Sequence, residues 1–259
     1  MEPETIRALQ ERVAGALPAE RVERLGEWWL RYAPRCSWWA GTVLPHGDAG
    51  RDELERRIAV AERFYGPYGT AARFQITPRV CSDALDGLLA ERGYRFDSPT
   101  SLRAAYTAEV KDRLSGAPLQ IQVEDRLTRD WFETWLGVNG ESGDVGAEWE
   151  LLRRVRVPSG YARAFVGGEV VAVGRVVADC GWAGVFGMAT LPEARGKGVA
   201  SSVLASLADW AGAHGADRMY LQVQSGNTPA VGLYERVGFT EVCVYHYRVG
   251  PQHQTVSSA

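Results

Sequence analysis

The chain has 259 residues, of which 46% are hydrophobic and 24% are charged, and its formal net charge is -3. This composition is typical of a folded globular protein and excludes wholesale disorder. The weak negative charge argues against nucleic-acid binding as the main activity. No apolar run approaches the roughly 18 residues of a membrane span, so we expect no membrane partner.

The cysteines and histidines, four of each, are dispersed along the chain. No CxxC pair or Cys/His cluster has the spacing of zinc ligands, so we predict no metal. The acidic N-terminus lacks the basic and apolar regions of a secretion signal. We therefore expect a cytoplasmic protein with reduced thiols.

The first half predicts alternating helices and strands. After an amphipathic N-terminal helix, Leu44-Pro45 leads through a loop into a helix over residues 52–65. The run Arg73–Ile76 is β-rich, and a further helix ends at Gly93-Tyr94, where a glycine followed by an aromatic residue is typical of a C-cap.

A polar stretch over residues 107–118 follows, with turn signals at Ser115-Gly116 and Pro118. We place a domain boundary in this stretch, which separates residues 1–115 from residues 118–249. The tail over residues 250–259 is polar, and we expect it to be disordered.

The second half opens with a predicted hairpin. Two β-rich runs, residues 160–166 and 169–178, flank Gly167-Gly168, and such a dipeptide between apolar runs is a hairpin signal. Trp182–Thr190 is the next predicted strand. Strands and helices arranged around one sheet indicate an α/β (α+β) domain.

The rest of the second half repeats the order of the first. Apolar residues recur at helical spacing over 199–211, and Tyr220–Val223 alternates as a strand does. A helix capped by Asn227 or Thr228 then ends before Gly238. The same series of elements in both halves predicts an internal duplication.

The most informative segment is the loop Arg195-Gly-Lys-Gly-Val-Ala200, between a predicted strand and a long helix. Gly196 and Gly198 let the backbone turn sharply and approach a ligand. The first amides of the helix, with Arg195 and Lys197, favour an anion such as a pyrophosphate. A basic turn that only starts a helix remains an alternative, whereas the glycine spacing fits neither a dinucleotide fingerprint nor a Walker loop.

The run from Gly187 to Ala200 resembles the acetyl-CoA-binding motif of GNAT acetyltransferases, Arg/Gln-x-x-Gly-x-Gly/Ala, met here by Arg195, Gly198 and Ala200. The run over residues 227–239 resembles the second signature of that family. The resemblance covers residues 118–249. It implies a GNAT acyl-CoA acyltransferase fold, with a mixed central sheet flanked by helices, which is duplicated in this chain.

The resemblance also implies an activity: transfer of acetyl from acetyl-CoA, the co-substrate, to an amine acceptor by direct attack. It assigns acyl-CoA contacts to the strand before the loop, to the loop itself and to the next helix, namely Met188, Ala189, Thr190, Arg195, Gly196, Lys197, Gly198, Val199, Ala200 and Asn227. Asn227 is alternatively a plain N-cap. The oligomeric state stays open, and a homodimer is compatible with the family.

Tyr234 matches the general acid of the family, and the chemistry requires such a group. Coenzyme A leaves as a thiolate, whose conjugate thiol has a pKa of about 8.5, and a positioned phenol with a pKa of about 10 can protonate it. The alternative is an ordinary amphipathic core tyrosine.

The base that deprotonates the amine is left open among acidic residues of one segment, which also contains three tryptophans. Carboxylates and indoles can surround a cationic amine, but a solvated acidic loop beside core tryptophans is the competing interpretation. The residues concerned are Glu141, Asp144, Glu148, Glu150, Trp131, Trp135 and Trp149.

The first half has lost the residues of both signatures. Aligned on the two Leu-Pro pairs, Asp48 stands where Arg195 does; aligned on Gly93 and Gly238, Leu89 stands where Tyr234 does. We predict that residues 1–115 form a degenerate GNAT-like domain without an acyl-CoA site. Its tryptophans line the acceptor pocket or pack in a core or interface: Trp28, Trp29, Trp38 and Trp39.

Two other functions keep the same fold. The chain could sense acyl-CoA without turnover, or it could use another acyl-CoA or a hydroxyl acceptor. The presence of Tyr234 together with an intact glycine loop favours an enzyme over a sensor.

Overall fold

A computed structural model describes residues 1–114, 119–140 and 143–251. The turn signals at 115–118, the candidate base Glu141 and most of the predicted tail lie outside the described residues. The helices α1 to α8 are Pro3–Ala16, Arg51–Tyr65, Asp83–Glu91, Thr107–Leu114, Arg129–Asn139, Val145–Arg153, Val199–Ala213 and Thr228–Arg236. The strands β1 to β11 are Arg21–Leu25, Trp28–Tyr32, Val43–Pro45, Arg73–Ile76, Arg95–Tyr106, Gln120–Glu124, Ser159–Val166, Glu169–Asp179, Trp182–Thr190, Arg218–Gln224 and Thr240–Val249.

All eleven of these strands join one mixed sheet in the order β1-β2-β3-β4-β11-β5-β10-β9-β8-β7-β6. The order has an approximate two-fold symmetry about the central antiparallel pair β11 and β5. On one side β3 pairs in parallel with β4, and on the other side β9 pairs in parallel with β10. The predicted mixed sheet and the duplication are therefore confirmed.

The two halves exchange their last strands. Strand β5 belongs to the first half, yet it pairs with β10 over seven residue pairs, from Arg218–Tyr106 to Gln224–Thr100. Strand β11 belongs to the second half and pairs with β4, for example His246 with Ile76. Each half therefore needs the other to complete its own part of the sheet.

The polar stretch that follows β5 is helical where the structure describes it. Helix α4 covers Thr107–Leu114, and Val110 is buried in the core around α7. The Thr107 hydroxyl donates to the carbonyl of Ala216 at 2.6 Å. Two buried positions and this bond are enough to dock a helix whose other residues are polar.

Buried side chains form clusters on both faces of the sheet. The largest lies under α7 and α8 of the second half, and a second lies under α2 and α3 of the first half. Of the residues that the structure describes, no helix combines the length and the apolar character needed to cross a bilayer.

Candidate active site

Strands β9 and β10 diverge, and the divergence opens the site. Their parallel pairing begins at Trp182–Arg218 and ends at Val185–Leu221, whereas β9 continues to Thr190. Strand β10 meanwhile stays paired with β5. The facing backbone groups beyond Val185 are thus released from sheet pairing with each other and are available to a ligand.

A β-bulge lies in β9 at the start of the divergence. The register with β8 passes from Arg175–Phe186 to Val173–Ala189, so that Gly187 and Met188 together oppose a single residue. Gly187 has φ of +58°, a conformation that favours glycine. Opposite the bulge, the carbonyl of Gly174 accepts from the indole Nε1 of Trp131 at 2.9 Å.

The glycine loop lies directly beyond β9. Gly196 and Gly198 have φ of +73° and +77°, and a Cβ added at either would meet nothing within 4 Å. Helix α7 begins at Val199 without a side-chain cap. Its first amides therefore face open space with the positive end of the helix dipole behind them, and this arrangement fits a diphosphate.

The basic side chains of the loop are both exposed at its surface. The Arg195 Nε donates to the carbonyl of Thr190 at 3.1 Å, which holds that side chain along the end of β9. Lys197 extends from the turn between the two glycines. Val199 is buried under α7, so its contribution to a ligand is limited to its backbone amide.

A cavity of about 440 Å³ occupies the divergence of β9 and β10. The second half contributes residues of β8, β9, β10, α5, α6, α8 and β11. The first half contributes the α1 end, the tryptophans after β2 and part of β5. Among the predicted acyl-CoA residues, Met188 and Asn227 line this cavity, whereas Ala189 and Thr190 pair with β8.

Tyr234 also lines the cavity, from α8. It is 7% exposed, and burial raises the pKa of its phenol to about 12. Its hydroxyl is therefore protonated at neutral pH, as a proton donor must be. At the start of the same helix, the Asn227 side chain accepts from the Ala230 amide at 3.3 Å, so Asn227 is an N-cap as well as a lining residue.

One of the candidate carboxylates reaches the cavity. Glu148, on α6, lines it and is 3% exposed. Its Oε1 accepts from both the amide and the hydroxyl of Ser37, which comes from the first half. Asp144 instead caps α6 by accepting from Ala147 at 2.8 Å, and Glu150 pairs at the surface with Arg153 at 3.1 Å.

The seven candidate tryptophans divide into two groups. Trp38, Trp39, Trp131 and Trp135 line the cavity. The others have structural contacts elsewhere: Trp28 packs edge-on against Phe74 in the first-half core, Trp29 stacks under Arg24, and Trp149 packs against Phe132.

Sequence reasoning missed one charged residue of the cavity, Arg175. It is 1% exposed, and burial lowers the pKa of its guanidinium. A signal was available, because Arg175 stands alone in the apolar run over residues 170–178 of a central strand. The polar β5 residues Ser98 and Thr100 were also missed, since nothing in a single sequence indicates the strand exchange.

The corresponding place in the first half is closed. There β3 and the segment after β4 meet again at a parallel bridge between Gly47 and Cys81, and the Gly47 amide donates to the Val80 carbonyl at 2.9 Å. Gln10 of α1 is buried beside this bridge, bonded to Thr77 and, at 3.2 Å, to His46.

Several solved structures share this fold across nearly the whole chain. A GCN5-related N-acetyltransferase from Kribbella flavida has a TM-score of 0.72 and 17% identity, covering 95% of each chain. A tandem GNAT protein from the clavulanic acid biosynthesis pathway has a TM-score of 0.65 and 13% identity, covering 93% of this chain and 88% of its own. This chain therefore shares the fold of these two proteins.

Sequence comparison identifies the family. Residues 122–239 match the model of the acetyltransferase (GNAT) family. An uncharacterised N-acetyltransferase of Bacillus subtilis, YobR, is 27% identical over 251 residues, covering 94% of this chain and 98% of that protein. Residues 122–239, in the second half, therefore form a GNAT acetyltransferase region, and the chain is an acyltransferase.

Proposed function

We propose that the protein transfers an acetyl group from acetyl-CoA to the amine of a small acceptor. The observation that carries this proposal is the cavity between the diverging strands β9 and β10, in which a protonated phenol and a buried carboxylate both stand. Direct transfer needs both groups, one to protonate the leaving thiolate and one to take a proton from the amine.

The acyl-CoA lies along β9 and the glycine loop in this proposal. The backbone of the bulge at Gly187 and Met188 contacts the pantetheine end, and the diphosphate rests on the amides of residues 196–200 with Arg195 and Lys197 beside it. Open space in front of Gly196 and Gly198 supports this placement.

Glu148 accepts a proton and Tyr234 donates one in this reaction. The amine enters as an ammonium ion and gives one proton to Glu148, after which its nitrogen bonds to the thioester carbon. When the carbon–sulfur bond breaks, Tyr234 gives its proton to the sulfur, and the second proton of the nitrogen restores the phenol. The net products are the amide, the free thiol and one proton. The position of Tyr234 in the same cavity as Glu148 supports this role.

The first half forms part of the wall of the acceptor pocket in this proposal, and it has no acyl-CoA site of its own. Its slot between β3 and β4 is filled by the Gly47–Val80 bond and by Gln10. It supplies Trp38 and Trp39 to the cavity and Ser37 to the carboxylate of Glu148.

A partial match supports an α-amine as the acceptor. An N-alpha-acetyltransferase of Saccharolobus solfataricus is 39% identical over 61 residues, which are 23% of this chain and 36% of that protein. The α-amine of a peptide is therefore a second candidate beside a small-molecule amine.

The direct test is a panel of amines with acetyl-CoA, monitored by release of free thiol, together with calorimetric titration of acetyl-CoA. We expect one binding site and turnover with a subset of amines. Saturable binding without turnover of any amine or alcohol would indicate an acyl-CoA sensor, and turnover of alcohols alone would identify a hydroxyl acceptor. Absence of binding would contradict the proposal.

A further inference from the structure

The cavity contains a buried cation that the proposed reaction does not use. Arg175 lies in the middle of β8, opposite Phe186 of β9, and is 1% exposed. Its guanidinium packs against the Phe186 ring with its central carbon 5.1 Å from the ring centroid. It lines the same cavity as Glu148 and Tyr234.

The hydrogen bonds of Arg175 are incomplete. One nitrogen, Nη2, donates to the carbonyl of Ala16 at the end of α1, at 2.8 Å. The other, Nη1, is buried and has no acceptor among the described residues. The groups that act on this guanidinium are the phenol of Tyr161, which lies within hydrogen-bonding reach of it, and the phenol of Tyr220, and no carboxylate is among them. A buried cation without a counter-charge is costly.

Capping of α1 does not account for this arrangement. Arg31 is equally buried and already serves that helix end, donating from Nη2 to the Leu17 carbonyl at 2.7 Å. Two other buried arginines have carboxylate partners, since Arg103 lies 3.0 Å from Glu235 and Arg163 lies 2.8 Å from Asp130. Arg175 differs from all three because it lines the cavity and because one of its terminal nitrogens, Nη1, has no acceptor among the described residues.

The buried carboxylate of the cavity, Glu148, also lacks a charged partner among the described residues. Glu148 binds Ser37 through Oε1, and no donor to Oε2 occurs among the described residues. Within those residues, neither an ion pair with Arg175 nor one with any other cation is present for this carboxylate. The cavity thus presents one buried anion and one buried cation that do not neutralise each other.

A zwitterion would supply both counter-charges. The cavity volume of about 440 Å³ has room for the acyl end of the co-substrate together with an acceptor of roughly the size of one amino acid. The indoles of Trp38, Trp39, Trp131 and Trp135 form its apolar walls and favour an apolar or aromatic side chain.

Building on the proposed function, we propose that the acceptor is a free amino acid with an apolar side chain, held by its ammonium group at Glu148 and by its carboxylate at Arg175. Arg175 is then a specificity residue. It selects acceptors by a bidentate bond to the carboxylate and takes no part in the acetyl transfer itself.

The decisive experiment compares matched acceptors on the unaltered protein. L-phenylalanine, L-phenylalaninamide and 2-phenylethylamine differ mainly at the carboxylate, and L-leucine, L-leucinamide and isoamylamine form a second triplet. We expect kcat/KM for thiol release to be at least about 100-fold higher for each acid, because a site built around a charged partner rejects analogues that lack it. Equal turnover of acids, amides and amines would overturn the inference. Preference for the amides would instead identify a peptide α-amine as the acceptor.

Two variants separate recognition from structure. Arg175→Met should lower kcat/KM for the acids at least about 100-fold, mainly through KM, while the amides and amines change by no more than a few-fold. Arg31→Met is the matched control, because Arg31 caps the same helix end and does not line the cavity. It should leave the ratio of acid to amide unchanged. A ratio that is unaffected by Arg175→Met would also overturn the inference.

A binding readout keeps this inference distinct from the proposed function. Quenching of tryptophan fluorescence by each triplet, measured with coenzyme A present, reports occupancy without turnover. If no amine is acetylated, the proposed function fails, yet binding of the acids that is lost in Arg175→Met would still support the zwitterion site. Equal binding of the acids, the amides and the amines would exclude the zwitterion site.

Discussion

The two halves of the chain have the same topology and differ where their parallel strands end. Helices α2 and α7 each have 15 residues, and α3 and α8 each have nine. Both shorter helices end in the same way, with glycine at positive φ and an aromatic amide bonded to the carbonyl five residues earlier: Tyr94 to Leu89 and Phe239 to Tyr234.

The difference lies in two small changes of backbone pairing. In the second half, pairing between β9 and β10 stops at Val185–Leu221 and a cavity opens beyond it. In the first half, the bond from Gly47 to Val80 draws the corresponding strands together, and Gln10 occupies what remains. A duplicated scaffold thus loses a ligand slot when its diverging strands are re-paired, and its core stays intact.

The largest expected effect tests Glu148, the carboxylate of the second half that accepts from Ser37 of the first half. Glu148→Gln keeps the shape of the side chain but removes its ability to take a proton, so kcat/KM for the acceptor should fall about 10²–10³-fold, the range typical of general bases. Steady-state thiol release measures this, with acetyl-CoA affinity expected to stay constant. The control is Glu150→Gln, an exposed position on the same helix. Equal losses in both variants would contradict the role of Glu148.

The next effect compares the two glycines that precede α2 and α7. Gly198→Asp introduces a carboxylate and a strained left-handed residue at the proposed diphosphate site, so the Kd for acetyl-CoA should rise about 10–100-fold. Gly50→Asp is the matched change in the first half, where φ is -68° and the added side chain meets nothing. Calorimetry should show an unchanged Kd there. Similar Kd values for the two variants would rule out the placement of the co-substrate.

Tyr234→Phe should have a smaller effect, a loss of about tenfold or more in kcat with acetyl-CoA affinity nearly constant. Because burial raises the pKa of this phenol to about 12, it remains protonated throughout the usual assay range. The pH profile of kcat should therefore show no decline with a midpoint near pH 10, the value of an ordinary tyrosine at about 10. Tyr94→Phe, at the end of the degenerate helix, should leave kcat unchanged. A decline centred near pH 10 would contradict the raised pKa, whereas an unaltered kcat in Tyr234→Phe would remove the assignment.

Many elements of the two halves could be predicted from the sequence, because each of them has a local sequence pattern. The strand Trp182–Thr190, the strand Arg73–Ile76 and the hairpin at Gly167-Gly168 occur as predicted. The alignment of Leu89 with Tyr234 is confirmed too, since each is the seventh residue of its nine-residue helix.

What could not be predicted depends on contacts between distant segments. Strand β5 contains Pro99 and several polar residues, and its pairing with β10 follows from the strand exchange, which has no local signature. The selection of Glu148 among the acidic candidates likewise required its contact with Ser37, 111 residues away. The contacts of β9 and the glycine loop with acyl-CoA stay a prediction, which the experiments above test.

The smallest effect concerns the closed slot of the first half and is read through stability. His46 is buried beside Gln10, and burial, with Arg7 assisting, lowers its pKa to about 4, while Glu11 and Glu27 act in the opposite direction. Since the unfolded histidine has a pKa of about 6.5, the unfolded state binds the proton more tightly. Stability should therefore be fully present above pH 6.5 and should be lost progressively as the pH falls toward 4.

The expected loss in the free energy of unfolding is on the order of 1 kcal/mol between about pH 7.5 and 5.5. Urea denaturation at both pH values measures it, and His46→Gln should reduce this difference because it removes the titrating ring. The exposed histidine His214, changed to glutamine, is the control and should keep the full pH dependence. If His46→Gln and the unaltered protein lose the same stability on acidification, the sealed slot does not hold a neutral histidine, and the account of its closure would have to rest on the Gly47–Val80 bond alone.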